Sequence, residues 1–276
     1  MNDEDLLINF LPANTLDNIL FFTNKGRVFQ TKVYEIPAAS RTSKGKLIQN
    51  FLEIPQGETV SAIVSYAEEE KEKDEGYLIM ATLNGMIKKT PLEDFGNVRR
   101  SGLIAMGLKG DDLLKWVKLS FGKDEVVLVT GNGQSIRFKE SQLRSMGRTA
   151  SGVRSIKLKK SDFVAGLDTI KESQGKNERK FLIVTENGFA KQTKLKEYKV
   201  QSRSGGGIKT AKINQKTGKI ITAKIITDEE ELLAISTKGQ VIRTKINTVR
   251  TAGRATSGVR IMKLKPGDTI AGSVAL

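Results

Sequence analysis

Short apolar runs that end in a polar, glycine-containing turn recur along the chain. Nearly continuous apolar segments occur at residues 19–22, 78–82, 126–130 and 181–185, a pattern typical of a strand buried on both faces. Each run leads into a turn of the form [ST]-x-[NK]-G, and a fifth copy of this turn ends at Gly239. Because Asn and Gly adopt the positive φ of hairpin turns, each copy predicts a β-hairpin.

A second glycine follows each turn at a nearly fixed distance. The turn glycines are Gly26, Gly85, Gly133, Gly188 and Gly239, and the second glycines, here called loop glycines, are Gly45, Gly102, Gly152, Gly207 and Gly258. The turn glycines are 59, 48, 55 and 51 residues apart, whereas the loop glycines follow them by 19, 17, 19, 19 and 19 residues. Near-constant internal spacing indicates one supersecondary unit repeated five times.

The repeat predicts an all-β fold. Units of four short strands span approximately residues 17–66, 76–121, 124–171, 179–227 and 229–276 of the chain. In the first unit we expect the later two strands near residues 47–54 and 59–66. Single sheets of this size cannot bury both faces, so we expect propeller-type blades packed face to face in a single domain. Residues 1–13 resemble the closing strand of a preceding unit, which leaves the blade number at five or six.

Composition argues against most kinds of catalytic centre. The chain contains no Cys and no His, which removes thiolate and imidazole nucleophiles and nearly all zinc chemistry. Carboxylate pairs such as Asp111-Asp112 precede strands, where turns and solubility explain them. We therefore expect no cofactor, no metal and no catalytic residue. No apolar run approaches the roughly 20 residues of a membrane span, and the acidic N-terminus differs from a signal peptide, so we expect a cytoplasmic protein without membrane contact.

Positive charge is the strongest functional signal. The chain carries 46 Lys and Arg against 31 Asp and Glu, a net charge of +15, which predicts attraction to a polyanion. Arginines recur four residues before the loop glycine and basic residues recur after the hairpin turn, so blades would align them in a rim that tracks a phosphate backbone. The candidate contact residues are Arg27, Lys32, Arg41, Lys44, Lys46, Lys88, Lys89, Arg99, Arg100, Arg137, Lys139, Arg148, Arg154, Lys191, Lys194, Arg203, Lys209, Arg243, Lys245, Arg254 and Arg260. In the alternative reading, the arginines hold loop carbonyls and the lysines are merely solvated.

Four segments carry a family resemblance. ILFFTNKGRVFQTKVYEIP, MATLNGMIKKT, IRFKESQLRSMGRTASGVRSIKL and GQVIRT together resemble the C-terminal DNA-wrapping domains of the bacterial DNA gyrase A and topoisomerase IV C subunits. The resemblance covers essentially all 276 residues. It implies a β-pinwheel, a propeller-like ring of four-stranded blades that exchange strands, whose positive rim bends double-stranded DNA. The implied partners are DNA, the catalytic domains of the same topoisomerase subunit, and its ATPase subunit. Strand passage and ATP hydrolysis lie in those other domains, so this chain alone is not expected to be an enzyme.

One family motif is incomplete. Gyrase members carry the box Q-R-R-G-G-[RK]-G in the loop of the first blade, and the nearest match here, residues 201–207, shares four of its seven positions. The resemblance therefore leaves supercoiling in doubt and a topoisomerase IV-like role in relaxation or decatenation open. Two other classes also remain open: a propeller that recruits an acidic protein partner, and a propeller enzyme with a carboxylate cluster in its channel.

Overall fold

A computed structural model describes residues 11–39, 45–68, 76–172 and 179–276. Regular structure in this part of the chain consists of β-strands and short 3₁₀ turns, so the predicted all-β class is confirmed. No helix among the described residues is long and apolar enough to cross a membrane. Most of the predicted opening strand, residues 1–10, lies outside the described residues.

The described chain forms two compact units. The first contains residues 11–122 with residues 143–154, and the second contains residues 123–142 with residues 155–276, apart from the gaps given above. Every sheet lies within one of the two units.

The first unit holds two antiparallel four-stranded sheets. One has the order β3-β1-β2-β6, where the strands are β1 Asn18–Thr23, β2 Arg27–Lys32, β3 Val60–Tyr66 and β6 Leu103–Ile104. The other has the order β10-β5-β4-β7, where the strands are β4 Tyr77–Thr82, β5 Met86–Pro91, β7 Leu114–Ser120 and β10 Val153–Arg154. In both sheets the two-residue outer strand comes from the following repeat. We call β6, β10 and their equivalents the exchanged strands.

The second unit holds three antiparallel sheets. The order β11-β8-β9-β14 joins β8 Glu125–Thr130, β9 Gln134–Lys139, β11 Val164–Ile170 and the exchanged strand β14 Ile208–Lys209. The order β15-β12-β13-β18 joins β12 Lys180–Thr185, β13 Phe189–Lys194, β15 Ile220–Ile226 and the exchanged strand β18 Val259–Arg260. The order β17-β16-β19 joins β16 Glu231–Ser236, β17 Val241–Lys245 and β19 Ile270–Ala275. Among the described residues this last sheet has no exchanged strand.

The apolar runs form the central strands, as the sequence pattern predicts. Strand β1 is buried along its whole length, and so is β8. In the first unit, Leu20 and Phe22 pack in one core cluster with Met80 of β4 and Val117 of β7. Burial of each such side chain contributes about 1.5–3 kcal/mol, so packing between neighbouring sheets stabilises the repeats.

The strand expected near residues 47–54 is absent, and this prediction was wrong. Residues 48–50 form a 3₁₀ turn instead, in which the Asn50 and Phe51 N–H groups donate to the Leu47 and Ile48 carbonyls. Local hydrogen bonds thus occupy donors that a strand would direct to a neighbouring strand. Leu52 then packs against Phe21 and Phe29, which anchors the segment on the first sheet.

Candidate nucleic-acid interface

In each four-stranded sheet two cross-strand pairs join the hairpin to the exchanged strand, and the pair nearer the hairpin turn, here called the outermost pair, contains one cation. The outermost pairs are Arg27–Ile104, Met86–Arg154, Gln134–Lys209 and Phe189–Arg260. In three sheets the exchanged strand supplies the cation, and in the first sheet the hairpin does. Arg154, Lys209 and Arg260 are exposed. Four copies thus place one positive charge at the same register position even though its strand of origin changes.

The loop glycine brings the exchanged strand to this edge. At Gly152 the backbone has φ +79°, and a Cβ there would lie 2.4 Å from the Ile87 carbonyl oxygen. Gly207 repeats the geometry, with φ +71° and a Cβ position 2.4 Å from the Ser135 oxygen. Only glycine combines this φ with so close an approach, so the loop glycine allows the next two residues to pair with the preceding hairpin.

Three further exposed lysines recur at one offset in successive repeats, and they were not predicted from the sequence. Each follows a loop glycine by five residues and an exchanged-strand cation by three, and they are Lys157, Lys212 and Lys263. The Lys157 N–H donates to the Gly205 oxygen at 2.8 Å, and the Lys212 N–H donates to the Thr256 oxygen at 3.0 Å. These two bonds hold Lys157 and Lys212 beside the loop of the next repeat. The constant offset from the loop glycine is the signal that could have identified all three. We call Arg154, Lys209, Arg260, Lys157, Lys212 and Lys263 the outer-edge cations.

Three of the arginines that lie four residues before a loop glycine, Arg148, Arg203 and Arg254, are among the described residues and are half-buried, and two of them also hold carbonyls. Arg148 Nη1 donates to the Asp94 oxygen at 2.9 Å, and Arg254 Nη1 donates to the Lys209 oxygen at 2.9 Å. The Arg203 backbone N–H donates to Gln142 Oε1 at 2.7 Å. The alternative interpretation, in which these arginines hold carbonyl groups of the protein, therefore applies to Arg148 and Arg254. A guanidinium has five N–H donors, so a single carbonyl contact leaves donors that can reach a phosphate.

Four of the predicted contact residues are buried, which contradicts their assignment to an exposed rim. Lys88 and Lys191 are 0% and 1% exposed, Arg137 is 7% exposed and Lys89 is 8% exposed. Lys89 Nζ lies 4.4 Å from the centroid of the Tyr77 ring, which accounts for its burial by a cation–π contact.

Arg137 is held on several sides by the protein. Its Nε donates to Glu125 Oε2 at 2.6 Å, and its Nη1 donates to the Tyr198 and Leu195 carbonyl oxygens at 2.8 and 3.2 Å. The guanidinium therefore joins its own hairpin to the turn of the following repeat.

Lys88 and Lys191 occupy the same position in two hairpins, three residues after the turn glycine. Lys88 Nζ donates to the carbonyl oxygens of Gly147, at 2.9 Å, and Arg148, and Lys191 Nζ donates to those of Gly253 and Arg254 at 2.9 and 2.6 Å. Burial lowers the pKa of each of these lysines to about 8. Both ammonium groups point into the protein, where they cannot contact a ligand in solvent.

Three other predicted contacts are paired with carboxylates. Arg27 lies 3.4 Å from Glu58, Lys32 lies 3.2 Å from Glu68, and Arg243 contacts Glu231. Their charge is thus partly neutralised within the protein. The remaining predicted residues among those described are exposed, and they are Lys46, Arg99, Arg100, Lys139, Lys194 and Lys245. Arg41 and Lys44 lie outside the described residues.

Nothing in the described part of the chain resembles a metal centre. No group of three or more Asp or Glu side chains that could hold a metal ion is found there.

Comparison with known proteins gives one consistent family. The DNA gyrase C-terminal domain, beta-propeller, family matches residues 17–65, 76–120, 124–171, 179–227 and 230–275. The A subunit of DNA gyrase from Staphylococcus epidermidis is 41% identical over 268 residues, which are 97% of this chain and 30% of that protein. The C-terminal domain of DNA topoisomerase IV superposes with a TM-score of 0.85 at 27% identity, covering 99% of this chain and 83% of that one. The DNA gyrase A C-terminal domain gives 0.80 at 24% identity, covering 95% and 83%.

These findings confirm the resemblance inferred from the motifs and the propeller-like fold. The chain spans only 30% of the length of the gyrase protein that it matches. The likeness therefore concerns one domain, and the activity of a whole topoisomerase does not follow from it.

Proposed function

Because the chain belongs to the DNA gyrase C-terminal domain family, we propose that it is a non-catalytic domain that binds the backbone of duplex DNA along its outer-edge cations. The observation that carries this proposal is the recurrence of one exposed cation at the outermost cross-strand pair, joined by a second three residues later. A cation kept for solubility has no reason to keep one register position through successive repeats.

The chemistry of the surface favours phosphate contact over base recognition. Lysine and arginine side chains on short strands and loops reach phosphate oxygens, and these contacts carry no sequence information. Further contacts would come from the half-buried loop arginines and from six exposed cations outside the outer-edge set, which are Lys46, Arg99, Arg100, Lys139, Lys194 and Lys245. We expect duplex binding with little sequence preference.

Salt dependence tests the proposal. Each neutralised phosphate lowers the slope of log K against log salt by about 0.9, so several contacts give a steep loss of affinity between roughly 50 and 200 mM salt. Fluorescence anisotropy with two duplexes of unrelated sequence would measure the slope. Lys224→Gln is a matched control, because Lys224 lies 2.9 Å from Glu229 and its charge is already compensated. Affinity that is independent of salt, or tight binding to one duplex only, would contradict the proposal.

We propose further that the domain bends DNA without imposing a strong chiral wrap. Bending a 20 to 30 bp duplex by 40 to 90° costs about 1 to 6 kcal/mol, which contacts along the path must offset. No intact copy of the box occurs in the sequence, so the DNA path lacks one strongly basic loop that gyrase members carry. An enzyme that carries this domain would then relax or decatenate DNA more than it supercoils. Nicked plasmid sealed by a ligase, or closed plasmid relaxed by a topoisomerase, with the domain present would test this through the linking numbers of the products. A linking-number shift that grows strongly with the protein-to-DNA ratio would contradict it.

The proposed setting is a type IIA topoisomerase in the cytoplasm. The domain would present DNA to the catalytic domains of the same subunit, and the ATPase subunit would be a partner of the complete enzyme. Titration of the domain with an acidic protein would test the alternative partner class. Binding of that protein in preference to duplex DNA would favour a recruiting module.

A further inference from the structure

Two buried lysines hold the loops that carry half-buried arginines. Lys191 is 1% exposed and donates to the Gly253 and Arg254 oxygens, which lie on the two sides of the Arg254 Cα. The Arg254 N–H donates to Glu197 Oε2 at 3.3 Å, which completes the hold. The backbone of this arginine is thus fixed by a cation and a carboxylate from the preceding repeat.

The same arrangement of lysine and loop occurs once more. Lys88 is 0% exposed and donates to the Gly147 and Arg148 oxygens. Asp94 follows Lys88 by six residues, as Glu197 follows Lys191. In each case burial has the largest effect and lowers the pKa of the lysine. The nearby acid raises this pKa, and the loop arginine lowers it.

The lysine and the loop sequence vary together within the chain. The position three residues after the turn glycine is Lys88 and Lys191 in two repeats, and it is Phe29, Ile136 and Ile242 in the other three. The loops held by the lysines are residues 147–152 and 253–258, and both have the form Gly-Arg-x-x-Ser-Gly. The loops that approach Phe29 and Ile136, residues 97–102 and 202–207, do not have this form.

Packing alone does not require a lysine at this position. Phe29 and Ile136 fill it with apolar side chains that are 0% exposed. Burying an ammonium group is unfavourable unless it is well hydrogen-bonded, so a lysine here indicates a function that an isoleucine cannot supply. That function must concern the loop, because the loop carbonyls are what the ammonium contacts.

We propose that Lys88 and Lys191 are positioning residues that fix the two Gly-Arg-x-x-Ser-Gly loops so that Arg148 and Arg254 are preorganised for a phosphate group. This inference rests on the proposed function and assigns two of the loops as rigid anchor points on the DNA path. A preorganised arginine loses less conformational freedom on binding, which raises affinity without any new contact. The lysines themselves do not touch DNA.

A double-mutant cycle on DNA affinity tests the proposal. Arg254→Ala should weaken binding about eightfold at 0.1 M salt, the effect of one phosphate contact. Lys191→Met should weaken binding by a similar factor, and the double variant should be no more than about twofold worse than Arg254→Ala, because residues that act through one contact are not additive.

Lys88→Met supplies the matched control. It removes the same kind of buried lysine but leaves residues 253–258 held by Lys191. Lys88→Met and Arg254→Ala therefore affect separate contacts, and the variant with both substitutions should bind DNA about 60-fold more weakly than the wild type. If Lys191→Met were equally multiplicative with Arg254→Ala, then it would act by general loosening of the fold and the proposal would be overturned. Lys191→Met with unchanged DNA affinity would overturn it as well.

Loop protection provides a readout that does not involve DNA. Hydrogen–deuterium exchange of a peptide covering residues 250–258 should speed up in Lys191→Met and stay as in the wild type in Lys88→Met. Lys191→Gln keeps an N–H donor and should restore part of both protection and affinity, and it replaces Lys191→Met if that variant does not fold. Unchanged exchange in Lys191→Met would overturn the proposal that Lys191 fixes the loop. If the wild type did not bind DNA but exchange still sped up in Lys191→Met, the proposed function would be refuted and the hold of Lys191 on the loop would stand.

Discussion

Arg137 and Arg243 occupy the same repeat position, four residues after a turn glycine, yet their surroundings differ. Each contacts a glutamate twelve residues earlier, Glu125 or Glu231. The side chains of Arg137 and Glu125 are 9% and 10% exposed, whereas those of Arg243 and Glu231 are 68% and 31% exposed. Substituting each arginine by Met therefore compares one interaction in two environments within one protein.

The expected costs differ by several kcal/mol. Arg137→Met removes the guanidinium that pairs with the buried Glu125 carboxylate, and breaking a buried ion pair costs about 3–5 kcal/mol. It also frees the Leu195 and Tyr198 carbonyls, which the guanidinium holds in the native protein. Arg243→Met removes an exposed ion pair, which is worth about 0–1 kcal/mol. We therefore expect Arg137→Met to be less stable than Arg243→Met by about 3 kcal/mol.

Urea unfolding followed by far-UV circular dichroism at pH 7 would measure the two free energies of unfolding. The pair Glu125→Gln and Arg137→Met in one chain should recover part of the loss, because the carboxylate charge is removed together with the guanidinium that pairs with it. The salt dependence of DNA binding should be unchanged in Arg137→Met, since this residue does not face solvent. Equal destabilisation by Arg137→Met and Arg243→Met would refute the assignment of Arg137 as a buried structural cation.

Two further predictions concern the exchanged strand and the buried lysines. Gly258→Ala should cost about 1–2 kcal/mol from its positive φ alone, and more because the new Cβ would lie 2.4 Å from the Ala190 oxygen. Gly206→Ala, whose Cβ would meet nothing within 4 Å, should be nearly neutral in the same urea experiment, and equal losses would contradict the role of the loop glycine. Burial lowers the pKa of Lys191 from 10.5 to about 8, so the unfolded chain binds more protons between these values. The wild type should therefore gain stability relative to Lys191→Met as the pH rises from 8 to 10, by at most about 1.4 kcal/mol per pH unit, and a constant or falling difference would count against the buried ammonium.

The hairpins could be predicted because their determinants are local. An apolar run followed by Thr-x-Asn-Gly specifies a buried strand and its turn within about ten residues of sequence, and β4 and β12 follow this pattern. The exchanged strands could not be predicted in the same way. Val153 and Arg154 pair with Ile87 and Met86, and a two-residue strand has no periodicity that a sequence pattern can reveal.

The burial of the candidate contact residues could be predicted from the sequence only in part. Arg154, Lys209 and Arg260 were among the candidates and are exposed, and their assignment as DNA contacts stays a prediction. Lys88 and Lys191 were placed wrongly because lysine is usually exposed, and only the carbonyls of a loop some 60 residues away make their burial favourable. Burial of a charged side chain depends on such distant partners and is not encoded in local sequence.

The central claim is that duplex DNA follows the outer-edge cations, and one comparison tests it most directly. The triple variant Arg154→Gln, Lys209→Gln and Arg260→Gln should keep its circular dichroism spectrum. The slope of log K against log salt should become shallower by about 2.7, and affinity at 0.1 M salt should fall about 500-fold, if each cation neutralises one phosphate. The charge-matched control removes Lys115, Lys118 and Lys224, which lie on β7 and β15 at the opposite edges of their sheets, and it should keep a slope close to that of the wild type. Equal loss of slope in both triple variants would show that net charge alone attracts DNA and would contradict an interface at the outer edge.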